Sequence, residues 1–308
     1  MPVLASGLRV VLVGEESAGL RTLRLIEGSG HRVAAVLTSS PNGTAVGSPR
    51  APGPTLWQAA EEGGLPLLPA ERVRDAALAR ELREAGADLL LNVHSLHVIH
   101  PEVLRAPKIG CFNLHPGPLP GYAGLDAVSW ALYRGETEHG VTVHEMTERI
   151  DAGGVAYRAT FPVGPDDTAW KVYGRSIREG LALLGRLLET AAAEGRVPVE
   201  PQDLSRRRYF HRGPPDGGRI GWARAAREVR DLVRACDYGP FPSPWGRAWT
   251  TRGARRIDLL QAALTGEPAG APPGTVRASD TGAPQVACAD EWLEVRAAAD
   301  LPPGTRLA

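Results

Sequence analysis

The 308-residue sequence predicts an α/β fold in two parts, a mostly parallel sheet followed by a small C-terminal β-barrel. Through the first half, short apolar runs alternate with segments of helical periodicity, which is the pattern of parallel βαβ units. Residues 202–215 are rich in arginine and poor in apolar side chains, which is typical of a linker. One helix and several short strands with Gly/Pro turns follow it, and this pattern favours a small barrel.

The elements of the first half follow in order. The predicted strands are apolar runs that end at Gly, Pro or polar residues, and they cover 8–14, 33–37, 65–68, 87–93 and 111–114. Leu20, Leu23 and Ile26 recur at helical spacing, and Thr55 is a suitable cap for the next helix. The predicted helices cover 20–29, 55–63, 72–85 and 101–104. A polar Pro/Gly/Ser stretch at 39–54 predicts a loop.

The second half begins with a helix near 126–133, strands near 141–146 and 155–161, and a long helix over 168–193. Beyond the arginine-rich stretch we predict a helix at 223–234 and four strands, at 257–264, 274–278, 285–289 and 292–297. Four tryptophans are expected in the core of this barrel: Trp222, Trp245, Trp249 and Trp292. The predicted domains are therefore 1–203 and 216–308, joined by a linker at 204–215.

Composition excludes several classes of protein. Lys+Arg and Asp+Glu both total 35, so no global basic field draws the chain to nucleic acid or to a membrane. Three widely spaced cysteines show no metal or redox spacing, and their odd number argues against a disulfide framework. The sequence has no signal peptide pattern and no apolar run of about 20 residues. A cytoplasmic location without membrane association is therefore expected.

Chemistry-bearing residues cluster in the run Phe112–Pro120 and at Asp151. Asn113 and His115 lie two residues apart near the end of a predicted strand, so their side chains point to the same face. The Pro/Gly residues that follow end the strand. Asp151, from a later loop, could orient or charge the imidazole. An amide donor and an imidazole beside a carboxylate are a suitable set for stabilising an oxyanion during acyl transfer.

With these motifs the chain resembles the folate-dependent formyltransferases, which include the methionyl-tRNA, sugar and glycinamide ribonucleotide formyltransferases. In that family an Asn-x-His leads into a Ser-Leu-Leu-Pro loop, and a catalytic Asp follows some tens of residues later. The phrases that carry the resemblance run nearly end to end. They are Asn113–Pro120, Gly140–Met146, Ile150–Gly153, Arg219–Trp222, Asp237–Gly246 and Pro303–Leu307. The chain is most similar to formyltransferases associated with nonribosomal peptide or secondary-metabolite biosynthesis.

The resemblance implies a Rossmann-like catalytic domain, an OB-like barrel and N10-formyltetrahydrofolate as co-substrate, with no metal. Asn113, His115 and Asp151 would be catalytic. In the expected mechanism Asn113 and a charged His115 both donate to the oxyanion, and Asp151 favours the imidazolium. The loop at 92–96 would be the wall of the pterin pocket. The expected folate-binding residues are Asn92, Val93, His94, Ser95, Leu96, Gly117, Leu119 and Asp151.

The chain also departs from the family pattern. Gly117 and Pro118 replace the usual Ser-Leu, Gly154 stands where a second Asp is frequent, and Gly221 replaces an Asp. The first two alter the acceptor mouth and the folate loop. We therefore expect the acceptor to be the amine of a small molecule or of an aminoacyl group on a carrier protein, rather than tRNA.

Three other interpretations stay open at the level of sequence. A methionyl-tRNA formyltransferase would have the same fold, with a basic face across the linker and the barrel. In this sequence only the cluster Arg206–Arg212 supplies basic charge there. That cluster is either a solvated linker or the binding site of an acidic partner. A formyltetrahydrofolate hydrolase would need no acceptor pocket. A non-catalytic folate-binding protein would lack the Asn, His and Asp. His94, His97 and His100 invite a metal site, which we disfavour because carboxylate or Cys partners at ligand spacing are missing.

Overall fold

The computed structural model describes residues 7–40 and 54–308, so the predicted loop at 39–54 lies almost entirely outside the described residues. Chain contacts divide the protein into two compact units. The first contains the residues up to Gly124 together with Gly140–Phe161 and Gly174–Tyr209. The second contains Leu125–His139, Pro162–Tyr173 and Phe210–Ala308. The domain boundaries at 203 and 216 stay a prediction.

The first unit is built on a seven-stranded sheet with the strand order β3-β2-β1-β4-β5-β7-β8. Its strands are β1 (Arg9–Gly14), β2 (Arg32–Thr38), β3 (Leu67–Pro69), β4 (Leu89–Val93), β5 (Gly110–His115), β7 (Glu138–Glu145) and β8 (Val155–Pro162). The first five run parallel, and β7 runs antiparallel to β5. Two short strands that were not predicted, β6 (Ala123–Gly124) and β9 (Tyr209–Phe210), form a separate pair.

Seven α-helices accompany these strands within the described residues 7–40 and 54–308. They are α1 (Glu16–Gly28), α2 (Leu56–Glu62), α3 (Leu78–Glu84), α4 (Pro101–Leu104), α5 (Ala127–Tyr133), α6 (Ala169–Glu194) and α7 (Ala226–Ala235). Thr55 caps α2 as predicted, and it does so through a reciprocal capping box with Gln58. The helix predicted over 72–85 is broken: a 3-10 helix covers Ala70–Arg74 and α3 begins at Leu78. The break lies at Asp75, whose carboxylate accepts from the Ala77 N–H and so competes with helical hydrogen bonding.

The parallel sheet is buried on its faces, which explains why its strands are continuous apolar runs. Val11, Val13, Leu37 and Leu90 pack into one core cluster with residues of α3 and α4. The carboxyl ends of β4 and β5 lie side by side, with Asn92 paired in register with Asn113. Ligands bind beyond such strand ends in α/β sheets, so this edge of the sheet is the expected position of the site.

The second unit contains a five-stranded antiparallel sheet with the order β10-β11-β14-β13-β12. Its strands are β10 (Ala248–Arg252), β11 (Arg255–Pro268), β12 (Val276–Ala278), β13 (Pro284–Ala287) and β14 (Glu291–Ala297). The fold class predicted from the sequence is therefore confirmed. Strand β10 was not predicted, because its five residues are bounded by a Pro-rich turn and by two arginines that hide the apolar alternation.

Three of the four tryptophans expected in the barrel core are buried, namely Trp222, Trp245 and Trp292. The prediction is wrong for Trp249, which is only half-buried on β10. The guanidinium of Arg256 lies 4.7 Å from the centre of its ring and that of Arg219 lies 5.9 Å away. Among the helices that the structure describes, none combines the length and apolar character needed to cross a membrane.

Candidate active site

Asn113 and His115 lie at the carboxyl end of β5, on the same face of the strand, as the sequence predicts. Asn113 is half-buried, whereas His115 is buried with 4% of its surface exposed. Asp151 follows β7 and is 8% exposed. Its carboxylate Oδ2 lies 3.8 Å from Nδ1 of His115. The structure therefore brings the three residues together within the first unit.

Two side chains that the sequence did not identify as its partners hold the amide of Asn113. Nδ2 of Asn92 donates to Oδ1 of Asn113 over 2.8 Å, and Nδ2 of Asn113 lies 3.1 Å from Nε2 of His144. Nδ1 of His144 donates to the carbonyl of Glu145, so in the neutral ring Nε2 accepts from Asn113. One N–H of the Asn113 amide then remains for a ligand.

The sequence does carry a signal for these two partners. Asn92 and His144 are polar residues inside apolar strands, and both lie directly beside Asn113 in the sheet. Asn92 was expected to contact folate through the loop that it begins. Its Nδ2 donates to Asn113, while its buried Oδ1 receives no hydrogen bond from any residue that the structure describes.

The imidazole of His115 differs from expectation in the direction of its pKa shift. Its Nε2 donates to the carbonyl of Tyr122 over 2.6 Å, which leaves Nδ1 to face Asp151. Burial lowers the pKa of His115, and this effect outweighs the nearby carboxylate of Asp151 and the Tyr122 carbonyl, which both raise it. The net shift is therefore opposite to the one expected from Asp151. A lowered pKa favours the neutral ring, whose Nδ1 can accept a proton.

Asp151 is held as a carboxylate in an unusual backbone conformation. Its φ is +53°, in the left-handed region that Asp and Asn tolerate better than most residues. Oδ2 accepts from the Gly124 N–H over 2.8 Å, and Oδ1 lies 3.4 Å from Nε2 of His144. Burial alone would raise the pKa of Asp151, but the positive charge that His115 and His144 carry when protonated, together with the Gly124 N–H, holds it below its usual range.

Two close contacts fix the loops that surround these residues. The Thr142 hydroxyl donates to the carbonyl of Gly117 over 2.8 Å and accepts from the Leu119 N–H over 3.1 Å. On the other side, a Cβ atom on Gly153 would lie 2.0 Å from the carbonyl oxygen of Glu145. Only glycine allows the Asp151 loop to approach the end of β7 so closely.

The remaining predicted folate residues lie in one stretch after β4. Val93 ends the strand, and its carbonyl accepts from the Glu15 N–H. His94 has a φ of +62°, so the chain turns sharply there. Ser95 is buried, and Leu96 is 41% exposed. The stretch therefore begins with a buried polar side chain, Asn92, and ends with an exposed apolar side chain, Leu96.

No group of three or more His, Cys, Asp and Glu residues within 7–40 and 54–308 has the arrangement of a metal site. Of the three histidines spaced by three, His100 has an assigned local role. Its Nδ1 accepts from the Glu102 N–H and caps the first turn of α4.

The state of His115 gives a pH prediction. We expect its titration midpoint in the folded protein to lie below the ordinary value of 6.5, because burial favours the neutral ring. The free energy of unfolding then depends on pH. The contribution of neutral His115 is complete above the pKa of the unfolded chain, and it is lost as the pH falls from there through the pKa of the folded protein, since the unfolded chain binds the proton more readily. NMR titration of ring-labelled histidine, assigned with His115→Gln, measures the midpoint. A midpoint at or above 6.5 would contradict the burial argument.

Comparison with known proteins agrees with this geometry. Residues 8–187 match the formyl transferase family, and residues 214–300 match its C-terminal domain. A methionyl-tRNA formyltransferase of Methylobacterium sp. (strain 4-46) is 32% identical over 98% of this chain and 99% of its own length.

Solved structures extend the comparison. An N-formyltransferase from Helicobacter canadensis, crystallised with folinic acid and dTDP-3-aminofucose, shares the fold with a TM-score of 0.68 and 17% identity, over 94% of this chain and 98% of that one. Glycinamide ribonucleotide transformylase 1 from Symbiobacterium toebii is 26% identical, with a TM-score of 0.52, over 63% of this chain and 94% of that one. The chain therefore belongs to the folate-dependent formyl transferase family and is an N-formyltransferase enzyme.

Proposed function

We propose that the chain transfers the formyl group of N10-formyltetrahydrofolate to the primary amine of a small molecule or of an aminoacyl group on a carrier protein. Asn113, His115 and Asp151 are the catalytic residues in this proposal. The observation that carries it is the convergence of a free amide N–H, an imidazole nitrogen with a lone pair and a carboxylate at one strand end.

Each residue has a distinct task in the proposed reaction. The folate donor supplies an activated formyl carbon, which the unprotonated amine attacks. The free N–H of Asn113 donates to the formyl oxygen as negative charge develops on it. Nδ1 of neutral His115 takes the proton from the amine, directly or through water, and returns it to the leaving nitrogen. Asp151, at 3.8 Å, stabilises the imidazolium while it exists. The products are a formamide and tetrahydrofolate.

The residues around Asn92–Leu96 fit a folate donor. The pterin ring has a polar edge and apolar faces, and its buried polar atoms need partners. Asn92 offers an unused Oδ1 that is already buried, and Leu96 offers an exposed apolar side chain. Gly117, Leu119 and Asp151 are proposed to border the formyl end of the donor, since Thr142 holds the first two beside β5.

Charge and loop chemistry support the small or carrier-bound acceptor. The net charge of the chain is zero, whereas tRNA binding depends on neutralising several phosphates. The loop beside the proposed formyl position carries Gly117, which has no side chain, and Pro118, whose ring fixes the backbone. Neither side chain can form hydrogen bonds, and the loop is held by the Thr142 hydroxyl, which donates to the Gly117 carbonyl. These residues shape the acceptor side of the site in this proposal.

Methionyl-tRNA is the second candidate acceptor, and two observations favour it. A relative of that activity is 32% identical over nearly the whole chain. The second unit also presents an aromatic and basic surface, in which the half-buried Trp249 lies against Arg219 and Arg256, with Arg255 exposed on the same hairpin. Aromatic rings beside arginines are a surface on which nucleic acid bases and phosphates bind.

A direct competition decides between these acceptors. Charged initiator tRNA and a panel of free and carrier-bound amines are offered with N10-formyltetrahydrofolate, and formylated products are measured by mass spectrometry. We expect a small or carrier-bound amine to be formylated with a kcat/KM of roughly 10⁴ M⁻¹s⁻¹ or more. Formylation of methionyl-tRNA at that efficiency, and of no small amine, would contradict the proposal.

Two controls complete the experiment. The double variant Arg255→Ala and Arg256→Ala removes charge from the hairpin, so it should raise KM for tRNA and reduce its salt dependence while leaving KM for a small amine unchanged. A reaction without any amine measures formate release. Formate release at the rate of the full reaction would identify a formyltetrahydrofolate hydrolase, and no turnover with any acceptor would favour a non-catalytic folate-binding protein.

A further inference from the structure

The segment 202–208, most of which the sequence predicts as linker, binds the backbone of the Asp151 loop. Nε2 of Gln202 donates to two carbonyls of that loop, to Asp151 over 3.1 Å and to Gly153 over 2.7 Å. Nη2 of Arg207 donates to the carbonyl of Ile150 over 3.0 Å. Two side chains of this segment thus hold three carbonyls that surround the proposed catalytic carboxylate.

The backbone of the same segment binds the loop that follows β5. The Arg208 N–H donates to the Pro120 carbonyl over 3.2 Å, and its carbonyl accepts from the Ala123 N–H over 3.0 Å. This loop contains the Tyr122 carbonyl, which accepts from His115, and the Gly124 N–H, which donates to Asp151. One segment therefore supports the partners of both His115 and Asp151.

The orientation of the Gln202 amide follows from these contacts. Its nitrogen faces two carbonyl oxygens, so the flipped amide would place oxygen against oxygen and lose both hydrogen bonds. Oε1 of Gln202 is buried and accepts from none of the residues in the described ranges. The side chain is thus held by its donor end alone, and that end is bound to the turn that contains Asp151.

The turn needs such support because of its conformation. A left-handed φ at a residue other than glycine is unfavourable, and it persists where surrounding contacts over-determine it. Gly153 fixes one side of the turn against Glu145, and Gln202 fixes the carbonyls on the other. Loss of the Gln202 amide would release Asp151 while leaving its carboxylate chemically intact.

We propose that Gln202 is a positioning residue for formyl transfer: it does not touch the substrates, and it sets the distance between Asp151 and His115 through the backbone of the Asp151 loop. This inference rests on the proposed catalytic role of Asp151. A displacement of about 1 Å at a reacting group can cost about 10²-fold in rate. We therefore expect Gln202→Leu, which keeps size and removes the donor, to lower kcat by about 10–100-fold with little change in KM for the folate donor.

The experiment compares Gln202→Leu, Asp151→Asn and the double variant in full-length protein. If Gln202 acts through Asp151, the double variant has the kcat of Asp151→Asn alone, because there is no carboxylate left to position. Gln285→Leu is the matched control, since Gln285 is a buried glutamine of the second unit that accepts from Arg277. It should retain wild-type kcat. A wild-type kcat in Gln202→Leu, or losses that multiply in the double variant, would overturn the inference.

A spectroscopic readout keeps the test independent of turnover. Asp151 raises the pKa of His115, so a carboxylate that moves away should let the NMR midpoint of His115 fall further, toward its value in Asp151→Asn. Gln202→Asn, which retains the amide N–H donors on a shorter side chain, should restore part of the midpoint and of kcat if the leucine variant folds poorly. An unmoved His115 midpoint in a folded Gln202→Leu protein would refute positioning. A wild-type kcat in Asp151→Asn would instead refute the catalytic role of Asp151, and with it the role of Gln202 in catalysis, whereas a shifted His115 midpoint in Gln202→Leu would still show that Gln202 positions the Asp151 loop.

Discussion

Replacing Asn113 with alanine is expected to lower kcat by about 10²–10³, the scale on which one oxyanion donor acts. The physical reason is the hydrogen bonding of its amide. Nε2 of His144 lies against one N–H and Asn92 donates to the oxygen, so the second N–H is the donor that remains for the formyl oxygen. Steady-state kinetics with N10-formyltetrahydrofolate and a saturating amine measure the effect.

The Asn113 variants need a measure of folding and of folate binding. Asn113→Asp keeps the size of the side chain but removes both N–H donors, so it should be as slow as the alanine variant. Folate should still raise the melting temperature of both, because a ligand that binds the folded state stabilises it by mass action. His144→Ala should be less impaired, since it leaves the donor in place and only loosens it. Wild-type turnover in a folded Asn113→Ala protein would remove this residue from the mechanism.

Asp151→Asn is expected to lower kcat by about 10²–10⁴, the range for a residue that supports proton transfer. Asparagine has the same size and tolerates the left-handed φ of +53°, so the backbone should keep its course. What is lost is the negative charge that stabilises the imidazolium of His115 as it takes the proton. His115→Ala should cost about 10²–10³, and combining it with Asp151→Asn should add little, because the two act as a unit.

A matched control exists in the second unit. Asp126 also has a left-handed φ, of +55°, and its carboxylate also accepts from a glycine N–H, that of Gly213. Asp126→Asn therefore makes the same chemical change in the same backbone conformation at a residue outside the proposed catalytic set. It should keep kcat within about two-fold, in the range expected for residues outside the catalytic set. Equal losses in the two variants would mean that Asp151→Asn acts through folding rather than through chemistry.

Much of the fold could be predicted because buried strands and helices have characteristic patterns of apolar residues. The apolar strands β1, β2, β4 and β5 were all predicted within two residues of their observed ends. The short strands β6 and β9 were not, since their two-residue pairing is set by hydrogen bonds between distant backbone segments and not by any local pattern.

The site shows the same division. The sequence indicated Asn113, His115 and Asp151, and the structure places them together, while their roles stay predictions. It did not indicate that His144 and Gln202 support them, because those contacts span from 31 to 51 residues of sequence. It also misjudged the direction in which the pKa of His115 shifts. A neighbouring carboxylate is visible in a motif, but the burial that outweighs it is a property of the whole fold.

The pairing of β5 with β7 has a consequence for redesign of this enzyme. The two strands set Asn113 opposite His144 and His115 opposite Thr142, so the partner of each residue depends on the register of the two strands. Between the two strands, residues 122–124 must also keep their place, because the Tyr122 carbonyl accepts from His115 and the Gly124 N–H donates to Asp151. A single residue inserted between Thr142 and His144 would turn one of the two to the opposite face of the sheet. A redesign therefore has to move the two strands as one unit, together with the segment 122–124 that holds His115 and Asp151.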